Sequence, residues 1–399
     1  MIKSQIVTSA DITEALMPEQ DTSEVHQNQK RVLQLCHGYG MPFHDVARQY
    51  AALFKDTEFK VTTVFLTGPK DEFIANTVDS DEVIFLENTS KDIRGLKLKQ
   101  IKQIRELCQK HHYSFCIAHR FKPIYIATHV KGLFVIGIHH AFGDYSRWTR
   151  RLYANRIQKN LALIGVSNSV RDDMRASLPS FPKEKIATLY NRIDIDQHAA
   201  SLLAKTEARE ALDLPKDKYI FANVGRLHPD KDQSTLLKAF AAIKPYQTNS
   251  VLVIMGKGKL EQTLKEEANA LGIKKQVIFT GPIPEASKYF KAFDSFVLSS
   301  DHEPFGMVLL EAMIAGLPMA VCNSGGAPEV AGVCGESFSL GDAEALANRM
   351  NLLMKLTETE KENIKQSMMI RLYSHFSDTA VKAAFWNLPF LPDLENINI

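Results

Sequence analysis

Short apolar runs alternate with longer amphipathic segments from Arg31 onward, and this alternation constrains the fold more than any other feature of the chain. The runs are rich in β-branched and aromatic residues, as strands are, whereas the segments between them have the apolar spacing of helices. Strands that alternate with helices form parallel sheets covered on both faces, with binding loops at the carboxyl ends of the strands. The sequence therefore predicts an α/β fold, with a first series of strands at Val32–Cys36, Val61–Leu66, Val83–Leu86, Phe115–Ala118, Phe134–Ile138, Ala162–Val166 and Ile186–Tyr190.

The alternation stops once and begins again, which predicts two domains. An Ala-, Lys- and Glu-rich stretch around residues 199–213 separates the two series, and 399 residues exceed the size at which one hydrophobic core usually stops growing. The second series predicts strands at Ile220–Val224, Val251–Met255, Val277–Thr280, Ser295–Leu298 and Met319–Val321. We divide the chain into a polar leader at 1–29, for which order and disorder both stay open, an N-terminal Rossmann-like domain at 30–192, a C-terminal Rossmann-like domain at 193–374, and a helical segment at 375–399 that could cross back to the N-terminal domain.

The composition is that of an ordinary globular protein. Hydrophobic residues make up 45% of the chain and charged residues 24%, close to the average of soluble proteins. No run is long enough to span a bilayer, and residues 1–29 lack the basic start and apolar core of a secretory signal. The 5 cysteines form no CxxC pair and have no zinc-finger spacing, which fits a reducing compartment. We therefore expect a cytoplasmic protein.

The net charge of +2 hides a strongly basic segment at residues 91–160. This segment carries 15 Lys or Arg against 3 acids, a net charge of 15 − 3 = +12. Two interpretations stay open: the segment is a solvated basic face, or it contacts anionic lipid on the inner face of a membrane or a phosphorylated molecule. We expect no nucleic-acid partner. The cations form a group at helical spacing (Lys91, Arg94, Lys97, Lys99, Lys102, Arg105 and Lys110) and a second cluster (Arg147, Arg150, Arg151 and Arg156).

The segment Gly225–Asp232, with the sequence GRLHPDKD, follows a predicted strand and precedes a predicted helix. At the carboxyl end of a parallel strand Arg226 and Lys231 could both reach one pyrophosphate, the arginine as a planar fork and the lysine as a point charge. The following helix offers free N–H groups to the same anion. A loop with Arg and Lys is also commonly just solvated, so the residues by themselves leave both interpretations open.

A second segment, EPFGMVLLE at Glu303–Glu311, places two carboxylates around the start of a predicted helix. Two turns of helix span about 11 Å, roughly the reach of one nucleotide, so one carboxylate could bind a sugar ring and the other a ribose. In the alternative, Glu303 complements the helix dipole and Glu311 is a structural acid. The amides that would open the helix, and that bind phosphate or sugar oxygens in such positions, are those of Phe305, Gly306 and Met307.

These segments resemble the motifs of the retaining glycosyltransferases of family 4. The hallmark of that family is an acid, seven residues and a second acid within E-P-F-G-x-x-x-L-E-A-M, and this chain has EPFGMVLLEAM at 303–313. AGLP follows, and GGAPE stands at Gly325–Glu329. GRLHPDKD is similar to the family's phosphate-binding loop. Tyr190–Asp194 is similar to its Y-N-G-I-D hinge, except that Arg192 stands in place of glycine, which puts the hinge geometry in doubt.

The resemblance implies the GT-B fold, in which two Rossmann-like domains face each other with parallel sheets across a cleft. The C-terminal domain would bind a nucleotide-sugar donor and the N-terminal domain an acceptor. Arg226 and Lys231 would then bind the donor diphosphate, Glu303 the hydroxyls of the transferred sugar, and Glu311 the ribose. The other donor-binding residues that the resemblance implies are Gly225, Gly256, Gly281, Pro282, Ile283, Phe305, Gly306 and Met307.

In the N-terminal domain the candidate residues lie at the ends of predicted strands. The family often has a histidine that faces the donor sugar there, and of the pair His139 and His140 we choose His139. The alternatives are a histidine that only caps a strand end and, for Arg120, a residue of the sheet edge. The remaining candidates are Gly38 and Gly40, where the backbone would approach the donor, and Arg120 and Lys122, which would bind the acceptor or the phosphates.

The implied reaction moves a glycosyl group, with retention of configuration, from a nucleotide diphosphate sugar to a hydroxyl of a glycan or glycolipid. A UDP-sugar is the favoured donor, and assembly of lipopolysaccharide or another cell-surface polysaccharide is the favoured setting. Arg226 and Lys231 would stabilise the leaving phosphate, and with Glu303 and His139 they form the predicted catalytic set. The string Asp301–Glu303 lacks the D-x-D arrangement of metal-bound diphosphates, so we expect no metal and no other cofactor.

Two other functions stay open. A non-catalytic nucleotide-sugar binding subunit would typically lack a motif acid, and both Glu303 and Glu311 are present. Another enzyme of the GT-B fold, such as a sugar-nucleotide epimerase, is the second alternative. An α-glucan phosphorylase would need a cofactor lysine motif that the sequence does not have.

Overall fold

The structure, a computed structural model, describes residues 5–8, 29–40, 43–243 and 249–391. These residues form two compact units. Unit 1 comprises the described residues up to Leu189 together with those from Val381 onward, and unit 2 is Tyr190–Ala380. The sequence-based division has its corresponding borders at 192/193 and 374/375.

Unit 1 is built around a parallel sheet whose strands are β1 (Gln5–Thr8), β2 (Arg31–Cys36), β3 (Lys60–Thr67), β4 (Glu82–Asn88), β5 (Phe115–His119), β6 (Val135–His139), β7 (Leu161–Gly165) and β8 (Ile186–Thr188). They are hydrogen-bonded in the order β1-β4-β3-β2-β5-β6-β7-β8. Strands β5, β6 and β7 are buried at every position, as expected for parallel strands covered on both faces.

The helices that connect these strands are α1 (Phe43–Ala51), α2 (Glu72–Thr77), α3 (Leu98–Lys110), α4 (Phe121–Ala127), α5 (Trp148–Ile157) and α6 (Asn168–Ser177). The side chain of Ser167 caps α6 by accepting the amide of Val170. In the basic segment 91–160 the first group of cations lies on a helix only from Leu98 onward. The helix cannot start earlier because Gly95 and Lys97 adopt left-handed backbone conformations, with φ of 62° and 54°.

Unit 2 contains a second parallel sheet, with strands β9 (Tyr219–Val224), β10 (Ser250–Met255), β11 (Val277–Gly281), β12 (Ser295–Leu298), β13 (Met319–Cys322) and β14 (Gly335–Phe338). Their order is β11-β10-β9-β12-β13-β14. The α-helices that begin in this unit are α7 (Ile195–Ser201), α8 (Lys205–Ala211), α9 (Gln233–Ile243), α10 (Glu261–Ala270), α11 (Met307–Ile314), α12 (Ala327–Ala331), α13 (Ala343–Lys355), α14 (Glu358–His375) and α15 (Asp378–Trp386).

Both sheets share one strand arrangement. Counted from β2 in unit 1 and from β9 in unit 2, each sheet contains six strands in the order 3-2-1-4-5-6 of doubly wound nucleotide-binding folds, and in unit 1 β1 and β8 extend this set at its two ends. The direction of winding reverses between β2 and β5 in unit 1 and between β9 and β12 in unit 2. Ligands of such sheets bind beside the carboxyl ends of the strands at the reversal, so the topology marks one candidate edge in each unit.

Each strand predicted from the sequence has a counterpart in the structure, and two strands among the described residues were not predicted. β14 has no apolar run because Glu336 and Ser337 are exposed. β1 lies in the leader at 1–29, for which order and disorder both stayed open, and its residues Gln5–Thr8 pair in parallel with β4. Residues 1–4 and 9–28 lie outside the described residues.

Helix α15 contributes its last residues to the core of unit 1. Phe385 is fully buried, and its ring packs edge-on against Phe54 with centroids 5.5 Å apart. The indole of Trp386 donates a hydrogen bond to the carbonyl oxygen of Leu53 at 3.2 Å. These contacts fix the residues from Val381 onward to unit 1.

Candidate functional site

The loop Gly225–Asp232 leaves β9 at the carboxyl edge of the unit 2 sheet. Two buried side chains, Gln233 and Ser299, hold its backbone. The amide of Gln233 donates to the carbonyl oxygen of Arg226 at 3.0 Å, and the hydroxyl of Ser299 donates to that of Lys231 at 2.8 Å. Neither residue belongs to a recognised motif, and sequence analysis missed both of them. The loop is therefore fixed at its two cationic residues by side chains from outside it.

Lys231 and Glu303 meet at this edge. The Lys231 Nζ lies 2.5 Å from a carboxylate oxygen of Glu303, and the two side chains are only 16% and 12% exposed. They come from two motifs 72 residues apart, and they meet because β9 and β12 are neighbouring parallel strands whose loops emerge side by side. A ligand bound here would contact a cation and an anion at adjacent points.

Arg226 has a different environment from Lys231. Its guanidinium is 70% exposed and contacts the carboxylate of Asp230 at 3.2 Å. That carboxylate also pairs with His228. Arg226 thus lies on the same loop as Lys231, but the structure does not bring it to the Lys231–Glu303 pair.

Helix α11 starts beside Glu303. Gly306 precedes the helix with a φ of +94°, and a Cβ at this position would lie 3.3 Å from Cγ of Glu303. The amides of the first turn of α11, including that of Met307, have no acceptor within the helix itself. The side chain of Phe305 is buried, and its ring centroid lies 5.8 Å from that of Phe376. Glu311 is half-buried on the same helix.

A glycine pair positions the backbone of Glu303. The amide of Gly326 donates to the carbonyl oxygen of Glu303 at 2.7 Å. A side chain on Gly325, which has a φ of +65°, would overlap that same carbonyl oxygen. The sequence signal for this contact is the GGAPE segment, which carried no residue role in the sequence analysis.

The loops after β9, β10 and β11 pack backbone against backbone. A Cβ on Gly256, where φ is +138°, would overlap the carbonyl oxygen of Gly225. The Gly256 amide donates to the carbonyl oxygen of Gly281 at 2.9 Å. By contrast, a Cβ on Gly225 or Gly281 would meet nothing within 4 Å. After Gly281, which ends β11, Pro282 is exposed and Ile283 is half-buried. The structure therefore gives Gly256 a packing role.

The carboxyl edge of the unit 1 sheet begins with the loop after β2. A Cβ on Gly38 would lie 2.8 Å from the hydroxyl oxygen of Thr67. That hydroxyl donates to the carbonyl oxygen of His37 at 2.6 Å. A Cβ on Gly40 would meet nothing within 4 Å, so the space around Gly40 is open.

His139, which ends β6, is fully buried, and both of its ring nitrogens are engaged. Its Nδ1 lies 2.6 Å from a carboxylate oxygen of Asp144, and its Nε2 lies 3.2 Å from the hydroxyl of Tyr145. In this arrangement neither nitrogen is presented to a ligand. The predicted role of His139 at the donor sugar stays a prediction, and the structure gives the residue an environment typical of a structural histidine.

His140 is half-buried and contacts His119 across the edge, with 3.2 Å between the His140 Nε2 and the His119 Nδ1. Burial, followed by the charge of Arg120, lowers the pKa of His140 to about 3. Burial also lowers the pKa of His119 well below its usual value. Both imidazoles are therefore neutral near pH 7.

Arg120 follows β5 with the backbone angles φ 73° and ψ 165°. Its guanidinium lies over the ring of Phe43, 4.1 Å from the centroid. Lys122 lies in the first turn of α4 and is half-buried. The two predicted acceptor residues thus stand next to each other at the winding reversal of the unit 1 sheet.

Arg192, which replaces glycine in the hinge motif, is buried and pairs with Asp378. Nearby, the hydroxyl of Tyr190 donates to the carboxylate of Glu329 at 3.3 Å. Arg192 therefore fixes the hinge segment to α15.

Across the described ranges there is no group of three or more His, Cys, Asp or Glu residues that could hold a metal ion. None of the helices in that part of the chain combines the length and the apolar character needed to cross a membrane.

The sequence matches two family models. Residues 204–368 match glycosyl transferases group 1, and residues 44–197 match Glycosyltransferase Family 4. The uncharacterized glycosyltransferase MJ1607 of Methanocaldococcus jannaschii is 32% identical over 172 residues, which cover 42% of this chain and 44% of that protein. The match thus spans less than half the length of that relative. The UDP-Gal:alpha-D-GlcNAc-diphosphoundecaprenol alpha-1,3-galactosyltransferase of Escherichia coli is 25% identical over 299 residues, which cover 70% of this chain and 76% of that protein.

Among solved structures, Anabaena Alr3699/HepE in complex with UDP-glucose aligns with a TM-score of 0.72 and 18% identity, over 92% of this chain and 100% of that chain. The two doubly wound parallel sheets and this likeness define a protein of the GT-B fold. The family models cover most of both units. The chain belongs to glycosyltransferase family 4.

Proposed function

We propose that this protein is a retaining glycosyltransferase that moves a sugar from a nucleotide diphosphate sugar to a hydroxyl of a glycan or glycolipid acceptor. The observation that carries the proposal is the Lys231–Glu303 pair beside the start of α11. A cation suits a diphosphate and a carboxylate suits sugar hydroxyls, so neighbouring groups of both kinds fit the junction between sugar and phosphate. That junction contains the bond that breaks in the transfer.

In this reaction the bond between the anomeric carbon and the diphosphate oxygen breaks, and the nucleoside diphosphate leaves with the electron pair. Lys231 and the first amides of α11 stabilise the charge that develops on the leaving oxygen. Arg226 joins them once it leaves Asp230, since its exposed side chain is free to turn. The acceptor hydroxyl forms the new bond on the same face of the sugar, and its proton passes to the leaving diphosphate in the front-face mechanism that the family resemblance implies. Glu303 holds the sugar hydroxyls during this step, and the scheme uses no metal.

We favour a UDP-sugar as donor. The E. coli relative is named for a UDP-Gal donor, and the Anabaena protein was solved with UDP-glucose. The acceptor of the E. coli relative is, by its name, a diphosphoundecaprenol-linked sugar. The name of the E. coli relative supports a lipid-linked glycan as acceptor, and assembly of lipopolysaccharide or another cell-surface polysaccharide is the setting that we favour.

Calorimetric titration of UDP, GDP, ADP and CMP tests the donor site. One nucleotide, expected to be UDP, should bind selectively, and Lys231→Ala and Glu311→Ala should each weaken it at least tenfold, or about 1.4 kcal/mol. Lys275→Ala is the matched control, because Lys275 is exposed and precedes β11, at the opposite edge of the same sheet. Failure of every nucleotide to bind, or an equal loss of affinity in the control, would contradict the site.

Product analysis tests the transfer itself. It must show a product with retained anomeric configuration, since a binding subunit would hold the donor without turnover.

We also propose a cytoplasmic location and contact with an anionic membrane through the basic segment 91–160. The support is α5, where Trp148 and Leu152 are 65% and 60% exposed next to the exposed Arg147 and Arg151. Exposed apolar side chains flanked by arginines suit the interface of an anionic bilayer. Reversing the charges of Lys97, Lys102 and Arg151 together should abolish sedimentation with phosphatidylglycerol vesicles. Unchanged sedimentation would overturn the membrane contact and leave the donor site unaffected.

A further inference from the structure

Arg120 has a strained backbone. Its φ of 73° and ψ of 165° fall in a region that is essentially reserved for glycine, at a cost of about 1–3 kcal/mol for other residues. The surrounding structure holds this conformation, because the Arg120 amide donates to the carbonyl oxygen of Ile138 and its own carbonyl accepts the amide of Ile124. A glycine at this position would avoid the strain. We therefore look to the arginine side chain for the reason that a strained residue stands here.

Basic side chains converge around Arg120 from two neighbouring strands. Arg120 and Lys122 follow β5, and His37 follows β2, which pairs with β5. In the parallel register Leu35 pairs with Ala118, so His37 and Arg120 each lie two residues beyond the last pair, at the same edge of the sheet. Burial lowers the pKa of His37, and the charges of Lys122 and Arg120 lower it further. The position is the winding reversal of the unit 1 sheet, where doubly wound folds bind ligands.

Arg120 and Lys122, the two cations of this cluster, form no direct ion pair within the part of the chain that the structure describes. Within the described ranges no carboxylate lies within 4.0 Å of Arg120 or Lys122, whereas Lys231 in unit 2 contacts Glu303 directly. The charge of Asp144 reaches Arg120 but is shared with His139 and Arg150. An unpaired arginine and lysine beside a neutral histidine form a site for an anion of high charge.

We propose that Arg120, Lys122 and His37 bind a phosphoryl or diphosphoryl group of the acceptor, an inference that rests on the proposed glycosyl transfer. The guanidinium provides a planar fork for two phosphate oxygens, and Phe43 supports it from one side. Lys122 adds a point charge and His37 a neutral N–H donor. The acceptor class is therefore a phosphorylated glycan or a glycan linked to a lipid through phosphate.

Inorganic pyrophosphate titrated into the full chain tests the site apart from catalysis. Four proteins are compared: the wild type, Arg226→Ala/Lys231→Ala, Arg120→Ala/Lys122→Ala, and the protein with all four changes. We expect two saturable sites in the wild type, one in each double variant and none in the fourfold variant. Loss of all binding in Arg226→Ala/Lys231→Ala would overturn the unit 1 site and leave the donor site standing. Loss of all binding in Arg120→Ala/Lys122→Ala alone would instead count against the donor site.

A matched control separates a site from general charge. Arg156→Ala/Lys159→Ala removes two exposed cations of the same basic segment, and in this control both pyrophosphate sites should keep their affinity. In Arg120→Ala/Lys122→Ala the unit 1 site should weaken at least tenfold. If both double variants lose affinity for pyrophosphate equally, the binding reflects general attraction of the anion to the basic segment, and the proposal is overturned.

The backbone strain supplies a folding control. Arg120→Gly and Arg120→Ala should both lose the unit 1 pyrophosphate site, while Arg120→Gly melts at a higher temperature than Arg120→Ala because glycine relieves the strain. If Arg120→Gly keeps the affinity of the wild type for pyrophosphate, the guanidinium is not a ligand and the proposal fails.

Two further probes identify the source of the phosphate. Glucose 1-phosphate represents a soluble phosphorylated sugar, and phosphatidylcholine vesicles containing phosphatidic acid represent a lipid phosphate. Binding of either probe that is lost in Arg120→Ala/Lys122→Ala and kept in Arg156→Ala/Lys159→Ala supports the proposal and names the source. Absence of such binding for both probes would overturn it.

Discussion

The two sheets share a set of six strands in the same order, but their carboxyl edges differ in how closely the loop backbones pack and in the charges that they carry. In unit 2 the loops pack backbone against backbone, as where Gly256 lies against Gly225, and the central lysine pairs with Glu303. In unit 1 side chains hold the edge, as in the hydrogen bonds of His139 to Asp144 and Tyr145. The cations of that edge, Arg120 and Lys122, stand without a carboxylate partner within the described ranges.

This comparison shows that the topology of a sheet determines where a site lies, but not which charges the site carries. The winding reversal brings loops together in both units. In unit 2 the loops provide a cation and an anion, which suits a ligand with both phosphate and hydroxyl groups. In unit 1 they provide cations and neutral imidazoles, which suits an anion.

The largest expected effect concerns the backbone packing of unit 2. Gly256→Ala should destabilise the protein by about 3 kcal/mol or more, because alanine is strained at a φ of +138° and its Cβ would overlap the carbonyl oxygen of Gly225. Gly225→Ala, whose Cβ would meet nothing within 4 Å, should change stability by less than about 0.5 kcal/mol. Urea unfolding of both variants measures the contrast. Similar stabilities would show that backbone contact does not hold this edge.

A smaller effect is expected at the side-chain network of unit 1. His139→Ala should lower the free energy of unfolding by about 2–3 kcal/mol, because it removes the partner of the Tyr145 hydroxyl and one of the two partners of Asp144, and opens a cavity. His140→Ala is the control, since His140 is only half-buried. Urea unfolding and the KM for the donor are measured together. A loss of transfer in His139→Ala with unchanged stability would instead support our sequence-based assignment of His139 to the donor sugar.

The same contrast explains what the sequence could predict. Backbone packing needs glycine at particular positions, so the edge of unit 2 leaves short local patterns such as the GGAPE segment. The strand series and the fold class were readable for a similar reason, because apolar periodicity is local. The contact between Lys231 and Glu303 depends on β9 and β12 being neighbours in the sheet, and local periodicity does not predict which strands are neighbours. Side-chain networks such as His119 with His140 join residues from separate strands and leave no local pattern. Gln233 and Ser299 escaped prediction because each donates to a backbone carbonyl oxygen, and a bond of that kind requires no particular residue at its other end.

Helix α15 has a consequence for synthesis on the ribosome. Trp386 bonds to Leu53 across 333 residues of chain, and Phe385 completes the packing around Phe54. The ribosome synthesises all of Tyr190–Ala380 before these two residues. Unit 2 can therefore fold while the core of unit 1 still lacks its last aromatic side chains. A protein truncated after Leu189 would therefore expose Phe54 to solvent. We expect this truncated protein to aggregate under conditions in which the full chain folds.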